Sequence, residues 1–108
     1  MPETLEQIER NYGRLPLAIV SGSRRDSVTA SLEALRLLEK FELLICAEDY
    51  EKGKPHPEAF LLAATRLGMS PQSCLVFEDT DMGIQAAIAA GMASVKIPSR
   101  WQRVKVDP

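Results

Sequence analysis

Apolar residues fall in short runs separated by longer stretches where they recur every third or fourth position. That alternation predicts strands interleaved with helices. Leu5, Ile8 and Tyr12, with Gly13 as a stop, predict a short first helix within residues 3–12. Leu17-Ala18-Ile19-Val20 is a compact apolar run ending in Ser21-Gly22-Ser23, which reads as a buried strand opening into a turn. Asp26 or Ser27 can cap the next helix, with Val28, Leu32, Leu35 and Leu38 along one face. Leu43 to Ala47 reads as a second buried strand, and the polar loop Glu48 to His56 follows. Pro57 suits a helix start, Phe60, Ala63, Ala64 and Leu67 give the i, i+3, i+4, i+7 pattern, and Gly68 can close the end. Ser70-Pro71 turns the chain into a third strand, Cys74 to Phe77. Ile84, Ala87 and Ile88 mark a helix that Gly91 stops, and Ala93 to Ile97 forms a fourth strand.

Strands separated by amphipathic helices imply parallel pairing through right-handed crossovers, so the fold class is α/β with a doubly wound parallel sheet of about four strands. A length of 108 residues suits one domain able to bury a core without disulfides or structural metal. The net charge of −2, without blocks of like charge, gives no electrostatic support for binding nucleic acid or an anionic membrane. The apolar stretches are far too short for a membrane span and the charged N-terminus lacks a signal-peptide core, so a cytoplasmic location is expected. Cys46 and Cys74 lack the paired spacing of metal or redox sites and read as buried free thiols. The tail from Pro98, with its lone Trp101, gives no functional signal and is expected to pack on the surface.

In such a sheet the loops after successive strands meet at one edge, where ligands bind. Ser21 and Gly22 offer a hydroxyl and an amide to a phosphate oxygen, although the same residues suit a plain strand-to-helix turn. Ser23 lies beside them, and Arg24 and Arg25 can reach an anionic substrate or form ordinary helix-start surface. Lys54, stiffened by Pro55 and Pro57, can neutralise a phosphate or steady a carboxylate, or be solvated. Gly53-Lys54 is not a P-loop, because the glycine-rich run and the following hydroxyl are absent. His56, the only histidine, is better placed to start a helix than to catalyse, and Glu48 and Asp49 read as solvent-facing. Glu78 and Asp79 end the third strand, where adjacent carboxylates repel unless they serve a divalent cation or a phosphate site. The alternative is a solvated loop with Asp81 capping a helix.

The ordered set is more specific than its parts. Ser-Gly-Ser after one apolar strand, Gly-Lys-Pro-x-Pro-Glu-x-Phe after the next and Glu-Asp-Thr-Asp-x-Gly-Ile after the third closely resemble the later motifs of the haloacid dehalogenase superfamily. The match is to the branch of beta-phosphoglucomutase and small sugar-phosphate phosphatases, and it covers the chain from about Pro2 to Ile97. The resemblance implies a Rossmann-like core in which Ser21, with Gly22, Ser23 and Arg24 nearby, binds the phosphoryl group of a small phosphorylated metabolite. It gives Lys54 a catalytic role, steadying that phosphate and a nucleophilic aspartate, and it makes Asp79 a Mg²⁺ ligand with Glu78 in support. The implied chemistry is phosphoryl transfer through an aspartyl-phosphate.

That family's first motif, an apolar strand followed by Asp-x-Asp-Gly-Thr, does not occur in the 108 residues, nor does the cap segment that follows it and selects substrate. Asp79-Thr80-Asp81-Met82-Gly83 imitates the spacing but stands after Glu78, in the metal motif. The chain therefore reads as a partial core domain over residues 1–108, beginning where the family's chain returns from cap to core. It is expected to be inactive alone and to hold Mg²⁺ weakly or not at all. In the family the absent strand lies between those ending at Ser21 and Asp79. An empty slot there would expose roughly ten backbone groups at about 1 to 3 kcal/mol each if buried unpaired, against a total stability of about 5 to 15 kcal/mol. The slot is therefore expected to be filled by the missing N-terminal segment or another chain, to admit water, or to close by direct pairing of its flanking strands. Two rival readings are a non-catalytic interaction module completed by a partner strand or by self-association, and, more distantly, a receiver-like phosphoacceptor domain.

Overall fold

The computed structural model describes residues 15–97, with Glu6, Ile8 and Arg10 ahead of them. Those three residues are helical, and Ile8 is buried. The rest of the predicted first helix, and the tail from Pro98 with Trp101, lie outside the described residues. Within residues 15–97 the order is β1 (Ala18–Val20), α1 (Arg25–Ala34), β2 (Leu43–Ile45), α2 (Glu58–Leu67), β3 (Leu75–Glu78), α3 (Asp81–Ala89) and β4 (Ala93–Lys96). Short 3₁₀ turns at Leu38–Lys40, Ala47–Asp49 and Pro71–Ser73 link them. Among the described residues no helix is long and apolar enough to cross a membrane.

The strands are parallel, as the interleaved helices require, but they form two separate pairs. In one, Ala18, Ile19 and Val20 lie opposite Leu43, Leu44 and Ile45; in the other, Leu75 to Glu78 lie opposite Ala93 to Lys96. Backbone bonds show which edge is used. Glu42 N–H donates to Leu17 and Ser21 N–H to Ile45, so the odd-numbered residues of β1 face β2. The alternation leaves Ala18 and Val20 facing the opposite edge. By the same logic, the carbonyls of Cys74 and Glu78 accept from Ala93 and Ile97, which leaves Leu75 and Phe77 facing away from β4. Val20 packs both with Ile45, Ala59 and Ala63 and with the cluster that holds Cys74 and Val76, so β1 is the strand adjoining the second pair. The flanking strands have not closed up: among the described residues β1 and β3 belong to different sheets.

Helix α2 spans the two halves. Its Ala59 and Ala63 pack on Ile45, and its Phe60 and Ala64 pack on Ala86, Ala87 and Met92. The helix ends at Gly68, whose φ of 71° lets Met69 N–H reach back to Ala64 at 2.9 Å. On the other side, Val28, Leu32, Leu37, Cys46 and Ile8 form a third cluster over Ile19 and Leu44.

Three local expectations change. The predicted α1 face runs Val28, Leu32, Leu35, Leu38, but the helix stops at Ala34. Arg36 takes a φ of 58° and Leu37 N–H bonds to Leu32, burying Leu37 and leaving Leu35 half exposed. Neither Asp26 nor Ser27 caps this helix. Its positive end is closed from 23 residues away by Glu48, whose carboxylate accepts from Arg25 N–H at 2.9 and 3.1 Å. In α3 the inner face is Gly83, Ala86 and Ala87, followed by Ala90, instead of Ile84, Ala87 and Ile88, and Ile88 stands 65% exposed. Small residues let this helix lie close to β3, and that proximity decides its rotation. Both cysteines are free, Cys46 buried and Cys74 half-buried.

Candidate active site

Ser21 continues β1 by donating its N–H to Ile45 at 2.8 Å. Its Oγ accepts from Ser23 N–H at 3.0 Å, and the Ser23 carbonyl in turn accepts from Ala47 N–H. A hydroxyl that already accepts keeps its proton to donate, so Ser21 is set to give a hydrogen bond to an anion. Gly22 is exposed and its amide has no partner among the described residues. A pocket of about 210 Å³ beside this loop is lined by Ser21, Ser23, Ser27 and Ser31 with Ile19 and Leu32. The two arginines divide. Arg24 is exposed, with Nε 3.7 Å from Asp26, whereas the Arg25 guanidinium is drawn inward to Asp49 and the Leu44 carbonyl. Asp49, expected in solvent, also accepts from Cys46 N–H at 2.8 Å and pairs with Arg66 at 3.8 Å.

The second loop carries Lys54 across to the second strand pair. Glu58 accepts from the N–H groups of Glu51 and Lys52, and the His56 N–H donates to the Gly53 carbonyl, which folds residues 51–58 into a hook. His56 Nδ1 accepts from Glu58 N–H at 3.1 Å and so sits at the start of α2. From this hook Lys54 Nζ reaches Glu78 Oε2 at 2.8 Å and lies 5.5 Å from the centre of the Phe60 ring.

In the third loop the two carboxylates have different lives. Glu78 is 8% exposed, and its Oε1 accepts from the N–H groups of Asp79 and Thr80 and from the Thr80 hydroxyl. Burial alone would raise its pKa, but Lys54, through hydrogen bond and charge, and these further donors hold it below the usual carboxylate range. Asp79 Oδ2 is buried and has no hydrogen-bond partner among the described residues. Burial, reinforced by the neighbouring Glu78, pushes Asp79 above its ordinary value. Thr80, and not Asp81, is the cap of α3, accepting from Gly83 N–H at 3.0 Å; Asp81 is exposed and pairs with Lys96 at 2.7 Å.

The structure thus brings Lys54, Glu78 and Asp79 together directly and ties in the Ser21 loop through Tyr50. The Tyr50 hydroxyl donates to the Ser21 carbonyl at 2.9 Å, and its ring edge runs beside Gly53. Burial, with the nearby Cys46 and Asp49, raises the Tyr50 pKa, so it stays a donor at neutral pH. Arg24 and Ser23 remain on the outer side of the first loop. Sequence reasoning missed Tyr50, Thr80 and Gly83. Thr80 had a signal, a capping residue ahead of a helix; Tyr50 acts across 29 positions and had none.

A divalent cation suits part of this donor set. An orphaned buried carboxylate oxygen on Asp79 is what a hard cation takes up, and Mg²⁺ commonly uses one or two carboxylates with substrate oxygens. Glu78 has its oxygens engaged. Among the described residues no group of three or more acidic, histidine or cysteine side chains is placed to hold a metal.

A family model for haloacid dehalogenase-like hydrolases matches residues 1–91, and the chain belongs to that family. It is 44% identical over 86 residues to the fructose-1-phosphate phosphatase YqaB of Escherichia coli, covering 80% of this chain and 46% of that protein. It is 38% identical over 93 residues to the validoxylamine A 7'-phosphate phosphatase of Streptomyces hygroscopicus, covering 86% and 43%. A Thermotoga maritima structure provisionally assigned as a beta-phosphoglucomutase superposes with a TM-score of 0.81 at 25% identity, covering 100% of this chain and 61% of that one. The chain therefore spans about half the length of the curated relatives it matches.

Proposed function

We propose that this chain supplies the phosphate-binding and cation-binding half of a phosphatase or phosphomutase acting on a small phosphorylated metabolite of the sugar-phosphate class. The observation that carries this is the Lys54–Glu78 pair at 2.8 Å beside Asp79 Oδ2, which has no hydrogen-bond partner among the described residues: an ammonium and an unengaged carboxylate oxygen at one strand end. In this reading Ser21 donates its hydroxyl proton to a phosphoryl oxygen, and Gly22 adds its amide. Lys54, steered by Glu78, offsets the charge of the phosphate. Asp79 would hold Mg²⁺, which when bound neutralises phosphoryl oxygens. Relatives named as phosphatases of fructose-1-phosphate and of validoxylamine A 7'-phosphate support a small phosphorylated metabolite as substrate.

No Asp-x-Asp-Gly-Thr occurs in the chain, so this reading gives it no nucleophile of its own. The purified chain should turn over no sugar phosphate with Mg²⁺, yet bind inorganic phosphate in a manner lost in Ser21→Ala and Lys54→Ala. Turnover by the chain alone that vanishes in Asp79→Ala would refute the incomplete-site reading.

The two unjoined strand pairs favour a second reading, a non-catalytic module completed by a strand from another polypeptide or a second copy. Size-exclusion chromatography over a concentration series decides it for self-association. A monomer at every concentration removes that support.

A further inference from the structure

The Tyr50 hydroxyl lies 2.9 Å from the Ser21 carbonyl oxygen and 3.8 Å from where a Cβ on Gly22 would be. Ser21 C=O and Gly22 N–H belong to one peptide unit, which is planar and trans, so the two groups point in opposite directions. A donor that fixes the carbonyl on one side therefore aims the amide to the other. The Tyr50 ring is anchored on Ile45, Ala59 and Ala63, so the carbonyl is held toward the core and the amide is turned away from it. That amide is on an exposed residue and has no partner among the described residues. The same ring lies beside Gly53, next to Lys54, with its Cε1 3.8 Å from where a Cβ on that glycine would be.

We propose that Tyr50 is a positioning residue, clamping the Ser21–Gly22 peptide so that the Gly22 N–H is presented as a ready-made donor to a phosphoryl oxygen. This rests on the phosphate site proposed above. A fixed donor spares the ordering cost that a mobile loop would meet on binding. An anion on the amide also polarises the peptide and strengthens the Tyr50 bond at its other end, which couples the two.

The test is a titration of the ¹⁵N,¹³C-labelled 108-residue chain with inorganic phosphate, in wild type, Tyr50→Phe and Ser21→Ala. In wild type the Gly22 amide and Ser21 carbonyl signals should move together as phosphate binds, a response that needs no variant. Tyr50→Phe should bind phosphate about 3- to 10-fold more weakly, with the Gly22 response lost and the melting transition retained. Unchanged affinity and an unchanged Gly22 response in Tyr50→Phe, with binding abolished in Ser21→Ala, would remove the role of Tyr50 and leave the phosphate site standing. A moving Gly22 amide beside a static Ser21 carbonyl would do the same. A wild-type chain that binds no phosphate, or Ser21→Ala that binds it normally, would bring down the site and this inference together.

Discussion

The side chain of Glu78 lies across Gly83, so closely that a methyl group on the glycine would overlap the Glu78 Cγ and Cδ. The helix accepts a glycine in its first turn because the carboxylate holding Lys54 needs that space. Gly83→Ala should therefore reverse the ordinary trend. Alanine in a helix normally gains about 1 kcal/mol over glycine, but here overpacking should cost about 1 to 3 kcal/mol. Urea unfolding measures the sign, and a stabilised variant would refute the contact.

The Lys54–Glu78 pair is unequal in exposure, with side chains 24% and 9% exposed. Removing the lysine strands the buried carboxylate, so Lys54→Met should cost about 2 to 3 kcal/mol, below the 3 to 5 typical of fully buried pairs because Lys54 is partly wet. Adding Glu78→Gln should restore part of the loss. A double-mutant cycle read by urea unfolding should give a coupling of about 1 to 2 kcal/mol, and none if the two act independently.

Acid sensitivity has a definite source in two carboxylates that accept backbone N–H bonds, the exposed Glu48 and the half-buried Glu58. The Glu48 pKa is lowered by backbone N–H bonds, its own and that of Arg25, and the Glu58 pKa by those of Glu51 and Lys52. Because the folded pKa lies below the ordinary value, the unfolded chain binds protons first as pH falls. Their contribution is present in full above about pH 4.5 and is lost as pH drops through the folded values. The double variant Glu48→Gln, Glu58→Gln should melt lower than wild type at pH 7 and show a shallower decline below pH 4.5. An identical acid limb in both proteins would exclude this origin.

Hydrogen exchange should report the slot between the strand pairs. The amides of Ser21 and Glu78 face paired edges or the turn they close, whereas those of Val20 and Phe77 face the unpaired edges. Val20 and Phe77 should exchange faster than their neighbours, and should become protected when an extended partner strand is supplied. Equal protection along β1 would mean that the slot is already closed.

The fold was legible where local chemistry determines it. Gly68 and Gly91 stop their helices, and Ser21 and Asp79 fall at strand ends because the apolar runs before them are short and cleanly bounded, while Lys54 follows in the loop after β2. What escaped depends on distance. The α1 cap comes from Glu48, and the orientation of the Ser21 peptide comes from Tyr50, neither of which local periodicity can register. The α3 rotation misled because isoleucines carry more hydrophobic weight than alanines, while proximity to β3 and Glu78 selects Gly83 and Ala86. Burial was overestimated for the first two strands: in β1 and β2 only Ile45 is fully buried, and each strand has only one neighbour in its sheet.

Because α2 lays Ala59 and Ala63 on Ile45 of β2 and Phe60 and Ala64 on Ala86, Ala87 and Met92 around α3, it acts as a gauge block between the two halves. The distance from the serine hydroxyl to the free aspartate oxygen is thereby set far from either, by the girth of four small or flat side chains on one helix. Evolution or engineering that thickens Ala64 alone would tilt one half against the other and detune the site without altering any group that meets the ligand.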